Sequence, residues 1–580
     1  MLRQPIVVVM GHVDHGKCVD GKTRVWLADG SLKTARELYE KFENRGKKTQ
    51  IDDGFVVELN ERPKLLSFNG QQMIRTEATH VWKRRAKSLI KVKLSNGDVV
   101  KTTPEHPFLT FNDFNLAFKR ADELSQGAIV MGPSSFSVHS IIDWKSEILQ
   151  RMAAAGDFVV FIDEEKASGF LSAIDKFTKT ELKRQGLLST DFVRNRFRAA
   201  DFVAIAKKFE VSLSEAYGWV IAFKSTTSKW RAGHSSLPLR LPQEAEMRQL
   251  GYFIGAWVGD GSNHGILHNN DADVQKEYQS ALASVFGAAS SVKFGHTCLQ
   301  VLPKAGKTLD RFLYSILLLP EKAKSQNVFV PWICQANDEC FRGFIEGWFD
   351  TDGYVSHLNN SIEFTTKSEE LARQAAVKLI TYGIQGIVYE KRGYYNLRIA
   401  NKEFLDAFLN SFSPKLKRRV DRIKEALVKA STSRNIDVYP LSQQVRGSLT
   451  KALPGKINLK LPYFSSYSNK LTLSGEVLNK IAFNVTKPNE TSVNLQQFIS
   501  KQLHGFKVLS VEVCQNEEEW VYDFTVPELS NFLAERVIIH NTSLLDSIRS
   551  TAVASREAGA ITQAVGASIV PISVIEDTCG

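Results

Sequence analysis

Close to its N-terminus the chain reads Gly11-His12-Val13-Asp14-His15-Gly16-Lys17-Cys18, directly after the apolar run Ile6–Met10. A strand followed by G-x-x-x-x-G-K is typical of a P-loop, whose glycines let backbone N–H groups approach phosphates while the lysine neutralises them. The next position of that motif is Ser or Thr, whose hydroxyl binds Mg²⁺, but Cys18 stands there. We therefore expect Ile6–Met10 to form a buried strand that leads into an interrupted phosphate-binding loop.

The missing part of this motif lies at the opposite end of the chain, where His540-Asn541 is followed by Thr542-Ser-Leu-Leu-Asp-Ser-Ile-Arg549. Joining Lys17 to Thr542 restores Gly-His-Val-Asp-His-Gly-Lys-Thr and continues it into a segment whose apolar residues recur at helical spacing. Because chance rarely completes a motif across so long a deletion, we interpret residues 18–541 as an insertion that interrupts a P-loop.

The joined flanks resemble the archaeal and eukaryotic family of initiation factors that deliver initiator tRNA at subunit joining, both in this loop and in Glu557-Ala-Gly-Ala-Ile-Thr562-Gln. The resemblance implies that residues 11–17 and Thr542 bind GTP, that Thr542 binds Mg²⁺, and that Thr562 belongs to switch I. It also implies the ribosome and initiator tRNA as partners of the joined product. The chain stops before the D-x-x-G and N-K-x-D motifs, so we expect the flanks to be a GTPase fragment.

Composition narrows the class of protein. The chain of 580 residues carries a net charge of +11, a mild excess that fits nucleic-acid contact without requiring it. Nothing approaches the ~20 apolar residues of a membrane span or the pattern of a signal peptide, so we expect a cytoplasmic monomer without a membrane partner. The six cysteines form neither a CxxC pair nor a zinc spacing, which argues against a disulfide framework.

Residues 18–541 resemble the intein family at both edges. The opening Cys18-Val-Asp-Gly-Lys-Thr-Arg-Val-Trp-Leu-Ala-Asp-Gly30 looks like its first block, and Thr103-Pro-Glu-His106 matches its T-x-x-H block. Its last two blocks are matched by Val521-Tyr-Asp523-Phe-Thr-Val, Asn531-Phe-Leu-Ala and Val537-Ile-Ile-His540-Asn541. The resemblance implies self-excision without a cofactor by an all-β, horseshoe-like splicing (Hint) fold that is split in sequence.

The residue types at the first junction suit an amide-to-thioester exchange. The Cys18 thiol can attack the Lys17 carbonyl, and a modest shift from the ordinary cysteine pKa near ~8.5 would supply thiolate. His106 can donate a proton to the leaving amine near neutral pH. Thr103 can help to polarise the carbonyl.

The second junction completes the reaction in this interpretation. Thr542 attacks the thioester with Asp523 as the candidate base, and the Asn541 side-chain amide then attacks its own backbone carbonyl to form a succinimide. His540 would stabilise that oxyanion or protonate the leaving group. One departure is Ser530, since the family often has His before the Asn-Phe pair, and this puts the rate of the last step in doubt.

Two segments repeat a second pattern, Phe253-Ile-Gly255-Ala-Trp-Val-Gly-Asp260-Gly261 and Ile345-Glu-Gly347-Trp-Phe-Asp-Thr-Asp352-Gly353. Both read as apolar helices that end in Asp-Gly, and their small residues would let two helix backbones pack closely. They resemble the LAGLIDADG homing endonuclease motifs, which implies cleavage of double-stranded DNA at the uninterrupted host gene. The alternative is two core helices with Asp at their ends.

Paired carboxylates at two helix C-termini are unfavourable, because each sits at the negative end of a helix dipole and repels the other. A divalent cation relieves both costs, so Asp260 and Asp352 are the candidate ligands of Mg²⁺ for phosphodiester hydrolysis. Lys322 and Lys324 resemble the family's lysine block, and Lys324 is the candidate for stabilising charge in the transition state. Equally, both lysines can be solvated surface.

Two further segments are candidate DNA contacts. Phe202–Phe209 and the helix opened by Ser212 resemble a helix-turn-helix surrounded by basic residues, although a basic hairpin that merely packs is equally compatible. The run Lys415-Leu-Lys-Arg-Arg419 is a second candidate for phosphate contact.

The sequence therefore predicts a multidomain protein: an all-β splicing fold, an α/β endonuclease of αββα repeats and a helical DNA-binding insertion. The predicted boundaries are an N-terminal flank 1–17, splicing parts 18–132 and 500–541, a helical DNA-recognition region 133–240, an endonuclease 241–412, a basic accessory region 413–499 and a C-terminal flank 542–580. Three alternatives remain open: a fold that cleaves without ligation, an intein with a decayed endonuclease, and a GTPase with a structural insertion.

Overall fold

The computed structural model describes residues 6–8, 17–51, 53–138, 143–188, 195–226, 238–295, 297–320, 328–430, 436–453, 472–541 and 567–569. The chain divides into two compact units, Met1–Phe136 with Ser433–Gly580, and Ser137–Thr432. The predicted accessory region 413–499 is therefore divided between the two units. Its later part belongs with the first unit because Tyr439 packs against Phe111 and Phe498 there, with ring centroids 4.9 and 5.1 Å away.

The N-terminal part of the first unit is almost entirely β-structure. Its one longer helix, α1 (Ala35–Phe42), begins at Thr34, whose side chain and that of Glu37 form a reciprocal capping box. The strands of this part are β1 (Ile6–Val8), β2 (Val19–Asp20), β3 (Arg24–Trp26), β4 (Leu32–Thr34), β5 (Gly46–Ile51), β6 (Gly54–Leu59), β7 (Lys64–Phe68), β8 (Met73–Glu77), β9 (His80–Arg85), β10 (Ser88–Leu94), β11 (Val99–Thr102), β12 (Pro107–Asn112), β13 (Asn115–Arg120) and β14 (Ile129–Pro133).

The second unit opens with a small α/β subdomain. Its elements are α2 (Trp144–Ala155), β15 (Phe158–Ile162), α3 (Ser168–Ile174), α4 (Lys179–Arg184), β16 (Arg196–Arg198), α5 (Ala199–Lys208), α6 (Leu213–Trp219) and β17 (Val220–Ser225). The strands form a sheet in the order β16-β15-β17. The region 133–240, predicted to be helical, thus contains helices and also three strands, because apolar runs such as Phe158–Ile162 form buried strands.

Two repeats of one α/β pattern follow in the same unit. The first comprises α7 (Met247–Asp260), β18 (Gly261–Ser262), β19 (Ile266–His268), α8 (Ala272–Phe286), β20 (Ser290–Phe294), β21 (Leu299–Pro303) and α9 (Gly306–Arg311). The second comprises α10 (Asp338–Asp352), β22 (Gly353–Ser356), β23 (Ser361–Thr366), α11 (Glu369–Leu379), β24 (Ile387–Lys391), β25 (Tyr394–Ile399) and α12 (Lys402–Ser411), and α13 (Lys417–Lys429) closes the unit. Each repeat is thus αββαββα, longer than the predicted αββα.

The C-terminal part returns to the first unit. It contains β26 (Val438–Pro440), α14 (Gln443–Ala452), β27 (Thr472–Ser474), α15 (Gly475–Phe483), α16 (Glu490–Ile499), β28 (Leu503–Gln515), β29 (Trp520–Thr525), β30 (Asn531–Ala534), β31 (Val537–His540) and β32 (Ala567–Ile569). Strands from both parts join one extended sheet in the order β4-β3-β30-β31-β12-β14-β28-β10-β11-β2-β29-β9-β6-β5. Interleaving of the two parts confirms that this β-rich unit is split in sequence, as predicted.

The first unit is held at its centre by a buried ion pair between its two parts. The Arg536 guanidinium donates from Nε to Asp98 Oδ2 at 2.7 Å and from Nη2 to Asp98 Oδ1 at 2.7 Å, with both side chains almost fully buried. A bidentate pair of this kind fixes the geometry of both partners. It connects the turn after β10 to the turn between β30 and β31.

The second unit is built around α7 and α10. Glycines recur every fourth residue along both helices, and a Cβ at Gly255 would overlap the Phe344 carbonyl, while one at Gly347 would overlap the Tyr252 carbonyl. The two helices therefore touch backbone to backbone, as the small residues of the repeated motif predicted. Both end at an aspartate followed by glycine, because Gly261 and Gly353 take extended conformations.

Candidate functional site

The strand register of the first unit brings segments from both ends of the insertion together. Val19, next to Cys18, pairs with Thr102 on one side and with Tyr522 on the other. Strand β31, which ends at His540, pairs with β12 through Ile539 and Phe108. The segment between β11 and β12, which carries Thr103-Pro-Glu-His106, therefore lies beside both junctions.

Cys18 is buried and held by Thr103. The Cys18 backbone N–H donates to Thr103 Oγ1 at 3.0 Å, and the Thr103 N–H donates to the Cys18 carbonyl at 2.9 Å. The hydroxyl thus contacts the nitrogen of the Lys17–Cys18 peptide bond. The expectation that Thr103 helps to polarise the Lys17 carbonyl stays a prediction; the contact seen here is to the nitrogen of the same peptide bond.

The environment of Cys18 raises the pKa of its thiol well above the ordinary value. Burial is the largest cause, since the side chain is 1% exposed in a cluster with Leu89 and Val521, and the Asp523 charge acts in the same direction. The expectation that a modest shift would supply thiolate is therefore wrong for this precursor. The thiol is held neutral, so its proton must be removed as it attacks.

His106 lies fully buried next to both junctions. Burial lowers the pKa of its imidazole to about 3, and the charges of His540 and Lys17 add to this effect, while the Lys17 backbone opposes it. The ring is therefore neutral at neutral pH. Because Lys17 and His540 both act on the pKa of His106, this imidazole lies close to the two peptide bonds that would be broken.

The C-terminal junction is arranged around Asn541, whose side chain is fully buried. Its Nδ2 donates to the Phe524 carbonyl at 2.8 Å, and its backbone N–H donates to the Ser530 carbonyl at 2.9 Å. His540 Nδ1 lies 2.6 Å from the Asn541 carbonyl oxygen. These contacts hold the Asn541 side-chain amide in place and bring the His540 imidazole next to the backbone carbonyl that this amide would attack.

Ser530 and Asp523 complete the group of predicted residues that the structure brings together. Ser530 takes a left-handed conformation, with φ of 49°, and contributes its carbonyl to Asn541. Asp523 lies on β29, fully buried and opposite Trp82 in the register. Among the neighbouring charged groups, Asp523 has the largest effect on the pKa of the Cys18 thiol. This effect was not predicted from the sequence, which assigned Asp523 to Thr542.

Several predicted residues lie outside the part of the chain that the structure describes. They are Gly11, His12, Val13, Asp14, His15, Gly16, Lys322, Lys324, Thr542 and Thr562. The roles assigned to them stay predictions. The flanks do contribute a pair of antiparallel strands, β1 and β32, which join Ile6–Val8 to Ala567–Ile569.

In the second unit, Asp260 and Asp352 end the two central helices side by side. A Cβ at Gly259 would lie 3.3 Å from Asp352 Cγ, so this carboxyl sits against the last turn of α7, one residue before Asp260. Asn269 Nδ2 donates to Asp260 Oδ2 at 2.7 Å. Two carboxylates in this position suit a hard divalent cation that takes its other ligands from water or phosphate; among the described residues, no group of three or more His, Cys, Asp or Glu side chains is arranged to hold a metal.

Three cations of the predicted basic run Lys415–Arg419 contact other groups of the protein. Arg419 donates to the carbonyls of Phe349 and Thr351, at the end of α10. Lys415 Nζ lies 3.4 Å from Glu277, and Arg418 lies 3.0 Å from Asp271. Arg419 therefore stabilises the end of the second central helix. The phosphate contact predicted for this run stays a prediction.

A buried acid was also missed by the sequence analysis. Asp350 lies two residues before Asp352 and accepts hydrogen bonds from the backbone N–H groups of Lys415 and Leu416, at 2.7 and 3.2 Å. Burial raises the pKa of its carboxyl to about 6. The sequence offered one sign of this difference. Asp350 and Asp352 are two residues apart, so on a helix their side chains must point in different directions.

Comparison with known proteins gives a family-level result. The model of the intein splicing domain matches residues 25–541. A probable translation initiation factor IF-2 from Methanocaldococcus jannaschii is 30% identical over 644 aligned positions, which cover all of this chain and 52% of that protein, so the chain spans about half the length of this relative. Among described residues, no helix is both long enough and apolar enough to cross a membrane.

Solved structures give weaker likenesses. The crystal structure of the TvoVMA intein is 20% identical and covers 21% of this chain and 74% of its own, with a TM-score of 0.21. Mesophilic variants of the homing endonuclease I-DmoI are 15% identical and cover 29% of this chain and 98% of their own, with a TM-score of 0.24.

Proposed function

This chain belongs to the intein splicing-domain family, and we propose that it excises residues 18–541 and joins Lys17 to Thr542 by a peptide bond. One observation carries the proposal: the pairing of Val19 with Thr102 and of Ile539 with Phe108 brings both junctions to the segment that carries the fully buried His106. A fold with a merely structural insertion has no reason to bury these groups together.

The first step exchanges the Lys17–Cys18 amide for a thioester. The Cys18 sulfur attacks the Lys17 carbonyl carbon, the carbon–nitrogen bond breaks, and one net proton passes from sulfur to nitrogen. We assign Asp523 as the acceptor of the thiol proton, because it is the strongest charge at that thiol. His106 is neutral, so it acts as a relay: it takes up the proton that leaves the thiol by way of Asp523 and passes it on to the leaving amine, which its low pKa favours.

The next steps move the acyl group and release the insertion. The Thr542 hydroxyl attacks the thioester, which restores the Cys18 thiol and leaves an ester. Asn541 Nδ2 then attacks the Asn541 carbonyl carbon, the bond to Thr542 breaks, and the insertion leaves with a C-terminal succinimide. The His540 contact of 2.6 Å to that carbonyl oxygen supports a role in stabilising its developing charge. The ester finally rearranges to the amide between Lys17 and Thr542.

Mass spectrometry of the expressed chain tests this proposal. We expect two products, residues 18–541 and the ligated flanks. Cys18→Ala should block cleavage at Lys17, and Asn541→Ala should block cleavage at Thr542. Cys514→Ala is the matched control, because Cys514 packs against the same apolar cluster as Cys18 and should leave splicing intact. Intact precursor under both reducing and oxidising conditions would contradict the proposal, and cleavage without ligation would favour an autoprocessing fold.

We also propose a site-specific DNA endonuclease in the second unit. The support is the backbone contact of α7 and α10, which brings Asp260 and Asp352 to adjacent helix ends. These two residues would hold Mg²⁺, which supplies Lewis-acid activation for phosphodiester hydrolysis. Asn269 orients Asp260 through a hydrogen bond of 2.7 Å.

Cleavage of a duplex with the joined codons for Lys17 and Thr542, in the presence of Mg²⁺, tests the endonuclease. Asp260→Asn and Asp352→Asn should each abolish cutting. Asp273→Asn, an exposed aspartate at the start of α8, should leave the cleavage rate unchanged. Absence of cutting by the parent chain would favour a decayed endonuclease and would leave the splicing proposal untouched.

For the flanks we propose a P-loop that forms only after splicing. The 30% identity to the probable initiation factor supports a host of that kind, whose GTP, ribosome and initiator-tRNA interactions would belong to the full spliced protein. Thr542 would serve first as a splicing nucleophile and then as a Mg²⁺ ligand. A Thr542→Ala chain should cleave at Lys17 without ligation, and efficient ligation by that variant would contradict the assignment.

A further inference from the structure

The three-stranded sheet β16-β15-β17 of the second unit has two faces of opposite character. Strand alternation places Phe197, Val160 and Phe223 in one cross-strand row, and all three are almost fully buried. Their rings pack against Phe202 of α5 at 5.8 Å and against Phe312 after α9 at 5.0 Å. This face is therefore the core face of the subdomain.

The opposite face carries cations and no carboxylate from its own strands. One row consists of Arg198, Val159 and Lys224, and the next row contains Arg196 opposite Phe161. Both arginines are exposed and the lysine is half-buried. We call this surface, defined by Arg196, Arg198 and Lys224, the basic sheet face.

The aromatic member of this face keeps one arginine in place. The Arg196 guanidinium lies 5.8 Å from the Phe161 ring centroid. Stacking on a ring leaves the outer edge of a guanidinium available to donate hydrogen bonds to phosphate oxygens. The strands fix the spacing of the backbone positions that carry these side chains, so the three cations are presented together on one surface.

The helix-turn-helix of the same subdomain is less suited to DNA than the sequence suggested. Its second helix, α6, has seven residues, none basic, and its exposed side chains include Glu215. Tyr217 is buried, and its hydroxyl donates to the Pro242 carbonyl at 2.6 Å. Helix α6, which would have to enter the major groove, therefore packs against the protein instead. The only cations of this helix pair are Lys207 and Lys208, at the end of α5.

Hydrogen bonds and an ion pair connect the sheet to the first αββαββα repeat. Asp157, just before β15, accepts from Arg311 Nε of α9 at 2.8 Å and from Ser225 Oγ at 3.2 Å. The Ser225 N–H donates to Thr308 Oγ1 of α9 at 3.3 Å. A surface held in this way keeps a fixed position relative to the repeat that carries Asp260.

We propose that the basic sheet face binds the phosphate backbone of double-stranded DNA and that α6 does not act as a recognition helix. The proposal rests on the proposed endonuclease for its choice of DNA, and it assigns the accessory contact to a sheet. Phosphate contacts of this kind set position and affinity without reading sequence. Each neutralised phosphate contributes about 0.9 to the slope of log affinity against log salt.

Binding of the joined-codon duplex to the full chain, blocked by Cys18→Ala and Asn541→Ala, tests this assignment without Mg²⁺. The triple variant Arg196→Gln, Arg198→Gln and Lys224→Gln should bind at least tenfold more weakly and lose about 2.7 from its salt slope, about 0.9 for each of three phosphates. The matched control Lys207→Gln with Lys208→Gln should change affinity less than threefold. A charge-retaining variant, Arg196→Lys with Arg198→Lys, should bind much as the parent does, which separates charge from folding.

The outcomes are distinct. Parental affinity in the triple variant would overturn the assignment to the sheet, and a tenfold loss in the lysine control alone would restore the helix-turn-helix. Weak binding by the Arg→Lys variant with parental hydrogen exchange in β15 to β17 would assign the contact to the guanidinium groups, whereas faster exchange there would show that the loss reflects local unfolding and would overturn the assignment. Failure of the parent to cut with Mg²⁺ would contradict the endonuclease, while the binding comparison would still decide between the two surfaces.

Discussion

His106 is completely buried, and its imidazole is neutral at neutral pH. An exposed imidazole titrates near ~6.5, whereas burial beside Lys17 and His540 lowers the pKa of this one to about 3. Any proton that it accepts is therefore given up readily, which suits a step in which an amine must leave. The cost of this arrangement is that the folded chain loses stability as the pH falls.

That cost can be measured. Below pH ~6.5 the unfolded chain takes up a proton at His106 while the folded chain does not until about pH 3, so stability falls as pH decreases through this window. In the Cys18→Ala, Asn541→Ala background, His106→Gln should reduce the stability lost between pH 7 and pH 4 by roughly 3 kcal/mol. Urea midpoints at the two pH values give the comparison; equal losses in both chains would contradict a neutral buried imidazole.

Thr103 makes a prediction about rate. Its hydroxyl oxygen accepts from the Cys18 N–H at 3.0 Å, and a buried donor that loses its partner typically costs about 1–3 kcal/mol. With Asn541→Ala to stop the later step, Thr103→Val should slow thiol-induced cleavage at Lys17 by about 5- to 150-fold, if the bond is kept in the transition state. Thr103→Ser keeps the hydroxyl and should cleave at close to the parental rate. Equal rates for Val and Ser would show that the contact is only structural.

At the scale of elements, the central helix pair depends on the absence of side chains. A Cβ at Gly255 would overlap the Phe344 carbonyl, whereas a Cβ at Gly169 in α3 meets nothing within 4 Å. Gly255→Ala should therefore destabilise the second unit by about 2 kcal/mol, and Gly169→Ala should be neutral or stabilising by up to ~1 kcal/mol. Hydrogen exchange in peptides from α7 and α10 reports the difference. Equal protection in the two variants would contradict the close backbone contact.

Patterns with a local cause were predicted well at this scale, and those set by distant partners were not. The paired motifs predicted two apolar helices that end at Asp260 and Asp352, because helical spacing and Asp-Gly endings are local. The direction of Arg419 toward the end of α10 depends on a partner about 70 positions away. The raised pKa of Cys18 likewise depends on burial against Leu89 and Val521, which no short motif records.

The whole molecule consists of two units, and the first is assembled from both ends of the chain. The described residues 436–453 and 472–499, which lie in the predicted accessory region 413–499, add to it directly. Tyr439 and Phe498 lie against Phe111, with ring centroids 4.9 and 5.0 Å away, and the Asp437 N–H donates to the Gly505 carbonyl at 2.9 Å. Aromatic contacts of this kind each contribute about 1 kcal/mol beyond the burial of their area. The splicing unit thus extends beyond the predicted segments 18–132 and 500–541.

A pair of deletions tests this division. Replacement of residues 137–432 by a short Gly/Ser linker should leave splicing intact, because Phe136 still packs on Trp26 at 5.1 Å and the residues that surround Cys18 and Asn541 are retained. Replacement of residues 137–499 also removes Tyr439 and Phe498, so we expect the first unit to unfold more easily and the ligated product to decrease at least tenfold. Mass spectrometry of the ligated flanks, with urea unfolding of the Asn541→Ala versions, measures both effects. Equal splicing by the two shortened chains would return residues 436–499 to an accessory role, and failure of the shorter deletion in a folded chain would show that splicing needs the second unit.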